Sequence, residues 1–200
     1  MLGMLWPSRS AIRPVEAHAV VGRDAVERAE SALDDEDTVL DHRLDRAREE
    51  FERDQPELAR FLERELDGVL DETAQALGDF LVVAVARAFR EAFGPRAGRV
   101  DEGTLHAVKT TFEWDEELRR GAADELLESD DVVAIGQPHL VAFVREQLDA
   151  ALEPDEDGAP ADVDLDAVAV VYRAMLIAIL GLGQVVAPPR GMVSPLRGLA

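Results

Sequence analysis

Two stretches of this chain match each other without a gap, and this repetition constrains the fold more than any other feature. Residues 55–70 and residues 137–152 both begin with Gln-Pro and continue with apolar residues at helical spacing, at an offset of 82 positions (137 − 55). A proline in the first turn of a helix is favourable because the N–H that it lacks would have had no partner there. The sequence therefore predicts two related amphipathic helices, over 56–71 and 138–153. The identical pairs are Gln55/Gln137, Pro56/Pro138, Leu58/Leu140, Phe61/Phe143, Leu66/Leu148, Asp67/Asp149 and Leu70/Leu152.

The apolar helix predicted after each of these segments also matches its counterpart. Residues 81–89 align with residues 167–175 at an offset of 86 (173 − 87), and each stretch has one arginine near its centre, Arg87 or Arg173. The extra positions lie in the second connection, over 153–163, which is rich in Asp, Pro and Gly. Repetition of a whole helix pair indicates an internal duplication.

We predict an all-α fold: a single helical domain over 23–187, a bundle of about seven helices, with repeats at 55–93 and 137–182 related by a pseudo-twofold axis. The helices over 76–93 and 164–182 are apolar around most of their circumference, so we place them at the centre. The other predicted segments are an irregular N-terminal arm over 1–22, helices over 24–33 and 38–53, two connecting helices within 100–128 (100–112 and 114–128), and a flexible C-terminal tail over 188–200.

Two further local patterns bear on this architecture. Residues 132–135 form the only β-prone tetrapeptide, and because it has no clear partner we predict no strand. We expect the apolar residues of the connecting helices to face the core. These residues are Leu105, Val108, Phe112, Leu118, Ala122 and Leu126.

The charge of the chain is strongly one-sided, with 42 acidic residues against 21 basic ones and a formal net charge of −21. This balance repels phosphate backbones and anionic lipid surfaces, so we expect no nucleic-acid partner. The apolar stretch over 167–187 approaches the length of a membrane span, but Arg173 lies inside it, which favours a buried helix and no membrane insertion. The apolar run at the N-terminus is too short for a signal-peptide core, so we expect a cytoplasmic protein.

The sequence lacks the usual patterns of catalytic and metal-binding helical proteins. No histidine follows a glutamate at the spacing that carboxylate-bridged di-metal bundles require, and the chain has no cysteine. The acidic loop over 153–164 departs from the EF-hand calcium pattern at its first, eighth and last positions. We therefore expect no cofactor, no metal ion and no catalytic residue.

Two sets of side chains remain as candidates for a site. Arg87 and Arg173 are matched charges in apolar helices; each could reach a nearby carboxylate or helix carbonyls, which we favour, or the two could face each other across the pseudo-twofold axis and bind an anion. The second set could line a cavity between the repeats, although side chains at helical spacing are more often plain core. It contains Phe80, Phe89, Phe93, Tyr172 and Met175.

The segment over 137–143 has the pattern Gln-Pro-x-Leu-x-x-Phe and is followed by an acidic linker and an apolar helix. In this it resembles an uncharacterised family of small bacterial all-helical proteins. The resemblance covers roughly residues 38–182. It implies a helical fold and supplies no activity, ligand or functional residue.

For function, the sequence favours a non-enzymatic protein–protein interaction or scaffold protein, which binds a partner protein or forms a homodimer. The support is mostly negative, since the sequence has no metal-ligand set, no nucleophile system, no phosphate-binding loop and no basic patch. The one positive feature is the excess of apolar surface in the predicted helices over 76–93 and 164–182, which could extend into an interface. The alternative is a small-molecule-binding or lipid-binding helical domain with a cavity between the two repeats.

Overall fold

The computed structural model describes residues 10–33, 40–66, 72–120, 129–153 and 164–191. Helices make up 81% of these residues and none of them forms a strand, so the predicted all-α class is confirmed. The helices are α1 (Arg23–Ser31), α2 (Leu40–Asp54), α3 (Pro56–Leu66), α4 (Glu72–Phe93), α5 (Glu102–Arg120), α6 (Ser129–Gly136), α7 (Pro138–Ala151) and α8 (Leu165–Gln184), with short 3-10 turns at Ala17–Ala19 and Gly94–Arg96.

The two most apolar helices, α4 and α8, pack against each other and against most of the other helices. α8 contacts α3, α5, α6 and α7, and α4 contacts α1, α2 and α7. A helix with apolar residues on all sides is stable in water only when its neighbours cover it, which explains the central position. By length and composition α8 could also cross a membrane, and 67% of its most apolar window is buried inside this fold.

The connecting region corrects the prediction of two helices over 100–112 and 114–128. Residues 102–120 form the single helix α5, and residues 121–128 lie outside the described part of the chain. The side chains of Val108, Phe112 and Asp115 keep one helical spacing and are all buried on the same side. Because that pattern runs through position 113 without a break, the helix continues.

A short helix, α6, occupies the region where the sequence predicted neither a helix nor a strand. It contains the β-prone tetrapeptide over 132–135 and brings the number of described α-helices to eight, where about seven were predicted. Asp130 and Asp131 lie in its first turn, where the helix dipole favours negative charge. Val132 and Val133 are buried, so tertiary packing outweighs their preference for strands.

The described part of the predicted N-terminal arm, residues 10–22, packs against the helices. Ile12, Ala19 and Val21 are at most 2% exposed and belong to the hydrophobic core. The buried Asp115 of α5 accepts hydrogen bonds from the Ser10 hydroxyl (2.9 Å) and from the Ala11 N–H (2.7 Å). Apart from the 3-10 turn at Ala17–Ala19 this segment is irregular, and it is also a component of the core. Residues 1–9 and 192–200, in the predicted arm and tail, lie outside the described residues.

Candidate functional site

A pocket of about 240 Å³ lies between α2, α4 and the turn that follows α4. We call it the α2–α4 pocket. It combines apolar side chains from three parts of the fold with charged side chains, which is the usual composition of a small-molecule site. The apolar lining includes Phe51, Val83, Ala86, Phe89 and Leu182, and the charged lining is Glu50, Asp54, Arg87, Arg90 and Arg99.

Most of the charged groups of the α2–α4 pocket bind one another or the backbone. Arg90 donates to Glu50 (2.9 Å) and to Asp54 (3.4 Å), and its hydrogen bond to Glu50 is the main cause of the raised pKa of Arg90 and of the lowered pKa of Glu50. Arg99 donates to the carbonyl of Arg53 at 3.3 Å. These partners fix Arg90 and its two carboxylates in place across α2 and α4.

Arg87 differs from its neighbours in the pocket. Its Nε atom is buried and has no hydrogen-bond partner within the part of the chain that the structure describes. The two carboxylates of the same lining, Glu50 and Asp54, pair with Arg90, and the charge of Arg87 acts on Glu50 without an ion pair between them. A buried N–H without an acceptor is costly, so a group of this kind in a pocket lining is a candidate ligand contact.

A second pocket, of about 620 Å³, lies between α5, α6 and α8, and we call it the α5–α8 pocket. Here Arg173 donates to both oxygens of Glu116, at 3.1 and 3.2 Å, and its guanidinium lies 5.6 Å from the centre of the Phe112 ring. Burial alone would lower the pKa of Arg173, but the hydrogen bond and charge of Glu116 outweigh it and raise the pKa. Arg173 thus has the carboxylate partner that we favoured for both arginines.

The structure does not bring the two candidate arginines together at one pocket. Arg87 lines the α2–α4 pocket and Arg173 lines the α5–α8 pocket. The reason is that each arginine projects from its central helix toward the outer helices of its own half of the chain. An anion held between the two is therefore not the arrangement found.

The five candidate cavity residues are also dispersed. Phe89 lines the α2–α4 pocket and Tyr172 lines the α5–α8 pocket, while Met175 is fully buried in the core. Phe93 lies against Phe89, with ring centres 5.8 Å apart. Phe80 lies against a ring of α7, that of Phe143, at 6.4 Å. Phe89 and Tyr172 therefore line two different pockets of the described structure.

A polar triad that the sequence did not predict joins α6, α7 and α8 beside the second pocket. The Tyr172 hydroxyl donates to Asp130 at 3.0 Å, and Arg145 donates to both Asp130 (2.6 Å) and the Tyr172 oxygen (2.8 Å). Burial, reinforced by the charge of Asp130, raises the pKa of Tyr172 to about 12. The three residues come from distant positions, so spacing along the chain gave no signal for the triad.

The surface of α5 has the most exposed large aromatic side chain of the described residues. Trp114 is 61% exposed and Leu118, one helical turn later, is 45% exposed. Leu118 was predicted to face the core, and this was wrong because the buried face of α5 runs through Phe112 and Asp115. We call Trp114 and Leu118 the α5 surface. The sequence predicted a helix that begins at Trp114, and gave no signal that this face of α5 is exposed.

Within the described residues, no group of three or more His, Asp or Glu side chains is placed to hold a metal ion. Comparison of the chain with models of protein families, with curated proteins and with solved structures gives no match.

Proposed function

We propose that this protein is a non-enzymatic interaction protein that binds another protein through the α5 surface. The observation that carries this proposal is the exposure of Trp114 on a well-packed helix. Tryptophan, with tyrosine and arginine, is enriched among the side chains that dominate binding energy at interfaces. Leu118 extends the same face by one turn. Burying the apolar area of these two side chains against a partner would be favourable, because it removes them from water.

The charge around the α5 surface indicates which kind of partner fits it. Glu117 lies between Trp114 and Leu118 along α5 and is exposed, and Glu113, also exposed, lies 3.6 Å from Arg173 and 4.0 Å from Lys109. The chain as a whole carries a net charge of −21, so a second copy would approach against strong repulsion. We therefore propose a partner with an apolar groove bordered by Arg and Lys, for which the same charges would steer association. A homodimer is the other outcome of the test.

We also propose that the chain arose by internal duplication, and that each copy has four helices where the sequence predicted a repeated pair. In this scheme α1 to α4 correspond to α5 to α8. Support comes from matching contacts: α1 packs on α4 as α5 packs on α8, α1 packs on α7 as α5 packs on α3, and α4 packs on α7 as α8 packs on α3. The contact between α4 and α8 would then lie on the pseudo-twofold axis.

The buried faces of the first helices support the same correspondence. At an offset of 79 (105 − 26), Val26 corresponds to Leu105 and Ala29 to Val108, and all four are buried. α1 ends at Ser31, whereas α5 continues for more than two further turns beyond the matching position. Trp114 and Leu118 both lie in that extension. The duplication therefore places the α5 surface in the part of α5 that extends beyond the end of α1; the matching positions, 35 and 39, lie outside the described residues.

The test of the interaction proposal is site-specific crosslinking in the host cell. A photo-crosslinking phenylalanine derivative replaces Leu118 in one variant and Leu165 in a control variant, since Leu165 is 68% exposed on α8. We expect a crosslinked partner with a basic surface from position 118 and not from position 165. The purified partner should then bind the wild-type chain, and Trp114→Ala should weaken that binding at least about tenfold, as interface tryptophans usually do.

Salt dependence distinguishes the partner from a second copy. Binding to a basic partner should weaken as salt is raised, because screening removes the attraction between opposite charges. Self-association of this acidic chain should instead strengthen as salt is raised, because salt screens the repulsion between the two copies. Equal crosslinking from both positions, or a partner whose affinity ignores Trp114→Ala, would refute the proposal.

A further inference from the structure

The α2–α4 pocket and the α5–α8 pocket have linings that match under the sequence alignment of the two halves. At an offset of 86, Arg87 of α4 aligns with Arg173 of α8. At an offset of 82, Ala47 of α2 aligns with Ser129 of α6. Five pairs contribute one member to each pocket. They are Ala47/Ser129, Val83/Ala169, Ala86/Tyr172, Arg87/Arg173 and Arg90/Leu176.

The two pockets differ in what meets the matched arginine. In the α5–α8 pocket a carboxylate of the chain itself, that of Glu116, accepts two parallel hydrogen bonds from Arg173. In the α2–α4 pocket the buried Nε of Arg87 has no acceptor among the described residues. We propose that the α2–α4 pocket binds a small monocarboxylate with an apolar body, whose carboxylate takes at Arg87 the place that Glu116 takes at Arg173. This ligand site is separate from the α5 surface and does not depend on it.

The charge of the pocket fits a single negative charge. Its lining contains three arginines and two carboxylates, an excess of one positive charge in a chain whose net charge is −21. Glu50 and Asp54 both accept hydrogen bonds from Arg90, so these two carboxylates are held at Arg90 and do not bind Arg87. Arg87 therefore offers the unpaired donor, and charge-assisted hydrogen bonds to a carboxylate are among the strongest that a protein makes.

The size and the apolar lining define the body of the ligand. Phe51 and Phe89 are both under 10% exposed and lie in the lining with Val83 and Leu182. A cavity of about 150 Å³ holds benzene, so by proportion the pocket, at about 240 Å³, holds roughly ten non-hydrogen atoms. A carboxylate with about eight carbons, either a medium fatty acid or an arylalkanoate, is of this size.

Octanoate is the probe for this proposal, and octan-1-ol is its uncharged control. We expect octanoate to bind the wild-type chain with a Kd on the order of 1 mM or lower, and octan-1-ol to bind at least about tenfold more weakly because it cannot pair with the guanidinium. NMR spectra of methyl-labelled protein report the location. Methyl signals of Val83, Ala86 and Leu182 should shift with saturation, and those of Ala169 and Leu176 in the α5–α8 pocket should not.

Two matched variants test the role of the arginine. Arg87→Gln should lose octanoate affinity about tenfold or more, whereas Arg173→Gln, the same change at the aligned position, should keep it within about twofold. Circular dichroism establishes that each variant is folded, and the comparison of octanoate with octan-1-ol needs no variant at all. The proposal is overturned by the absence of saturable shifts up to about 10 mM octanoate, by equal binding of the alcohol, or by undiminished affinity of folded Arg87→Gln.

Discussion

Gln55 and Gln137 make the same pair of hydrogen bonds with two different segments of the chain. The Gln55 side chain donates to the carbonyl of Gly98 (2.8 Å) and accepts from the N–H of Val100 (2.9 Å). The Gln137 side chain donates to the carbonyl of Ala19 (2.6 Å) and accepts from the N–H of Val21 (2.9 Å). Each amide thus binds two backbone groups that are two residues apart, just before α5 or α1 begins, and so positions the start of that helix.

Replacing either glutamine with alanine should destabilise the fold. Each change leaves a backbone N–H and a C=O without partners, and each unsatisfied buried group costs about 1–3 kcal/mol. Gln137→Ala should cost at least as much as Gln55→Ala, since Gln137 is 0% exposed and Gln55 is 8% exposed. Urea unfolding measures both changes. Gln75→Ala, at an exposed position on α4, should change the free energy of unfolding by less than about 0.5 kcal/mol.

The carboxyl of Asp115 should make the free energy of unfolding depend on pH in the acidic range. Burial by itself would raise the pKa of this carboxyl, but hydrogen bonds from Arg119, Ser129, Ser10 and the Ala11 N–H outweigh burial and lower it. A carboxyl whose pKa is lowered by folding stabilises the native state above its ordinary pKa of about 4, and this contribution disappears as the pH falls through the lowered value.

Asp115→Asn is therefore expected to cost about 3 kcal/mol at pH 7, where a charged partner is lost from a buried network. The difference from the wild type should shrink as the pH falls below about 4, because the wild-type carboxyl then becomes neutral as well. Urea unfolding over a pH series measures this difference. Glu117→Gln, at an exposed position of the same helix, is the control, and an equally large loss there would contradict the assignment.

Tyr172 is the only tyrosine in the chain, so its titration can be observed directly by ultraviolet absorbance. Burial is the main cause of its raised pKa, and the nearby charge of Asp130 adds to it. The pKa of Tyr172 is thereby raised to about 12, and the native protein should titrate near that value. Denatured protein should titrate near the ordinary value of about 10. Asp130→Asn should lower the native midpoint because it removes the negative charge. A native midpoint near 10 would show that the triad does not form.

Two glycines of α8 give opposite predictions for the same substitution. A Cβ at Gly183 would lie 2.5 Å from Cγ1 of Val15, a stiff side chain, whereas a Cβ at Gly181 would have its nearest neighbour at 3.4 Å. Gly183→Ala should therefore cost about 1–3 kcal/mol through overpacking. Gly181→Ala should be neutral or stabilising by up to about 1 kcal/mol, since alanine favours a helix. Thermal unfolding compares the two variants, and equal effects would contradict the packing of residues 10–22 on α8.

The sequence was sufficient for the helices whose apolar pattern is strong. The prolines at positions 56 and 138 fixed the starts of α3 and α7, and the uniform hydrophobicity of α4 and α8 predicted their central position. It was insufficient for α6, where valines that favour strands become helical because tertiary contacts bury them. It also failed at position 113, because the buried position that follows Phe112 is the polar Asp115, while the apolar Trp114 is exposed. The apolar pattern therefore changes at a point where the helix continues.

The candidate site was predictable only in part. The central position of Arg87 and Arg173 in apolar helices made both residues candidates for a site. That they line two different pockets depends on the outer helices that each one faces. The pairing of Arg173 with Glu116 joins residues 57 positions apart. Contacts of this kind arise from tertiary packing, and one sequence has no local pattern that specifies them.

If a partner covers the α5 surface in the cell, Trp114 should be protected there from oxidation. Hydroxyl-radical labelling is carried out on the purified chain and on the chain in its host, with Leu165 as the exposed reference. We expect Trp114 to be labelled several-fold less in the host than in the purified monomer, and Leu165 to be labelled equally in both. Equal labelling of Trp114 in the two samples would contradict it.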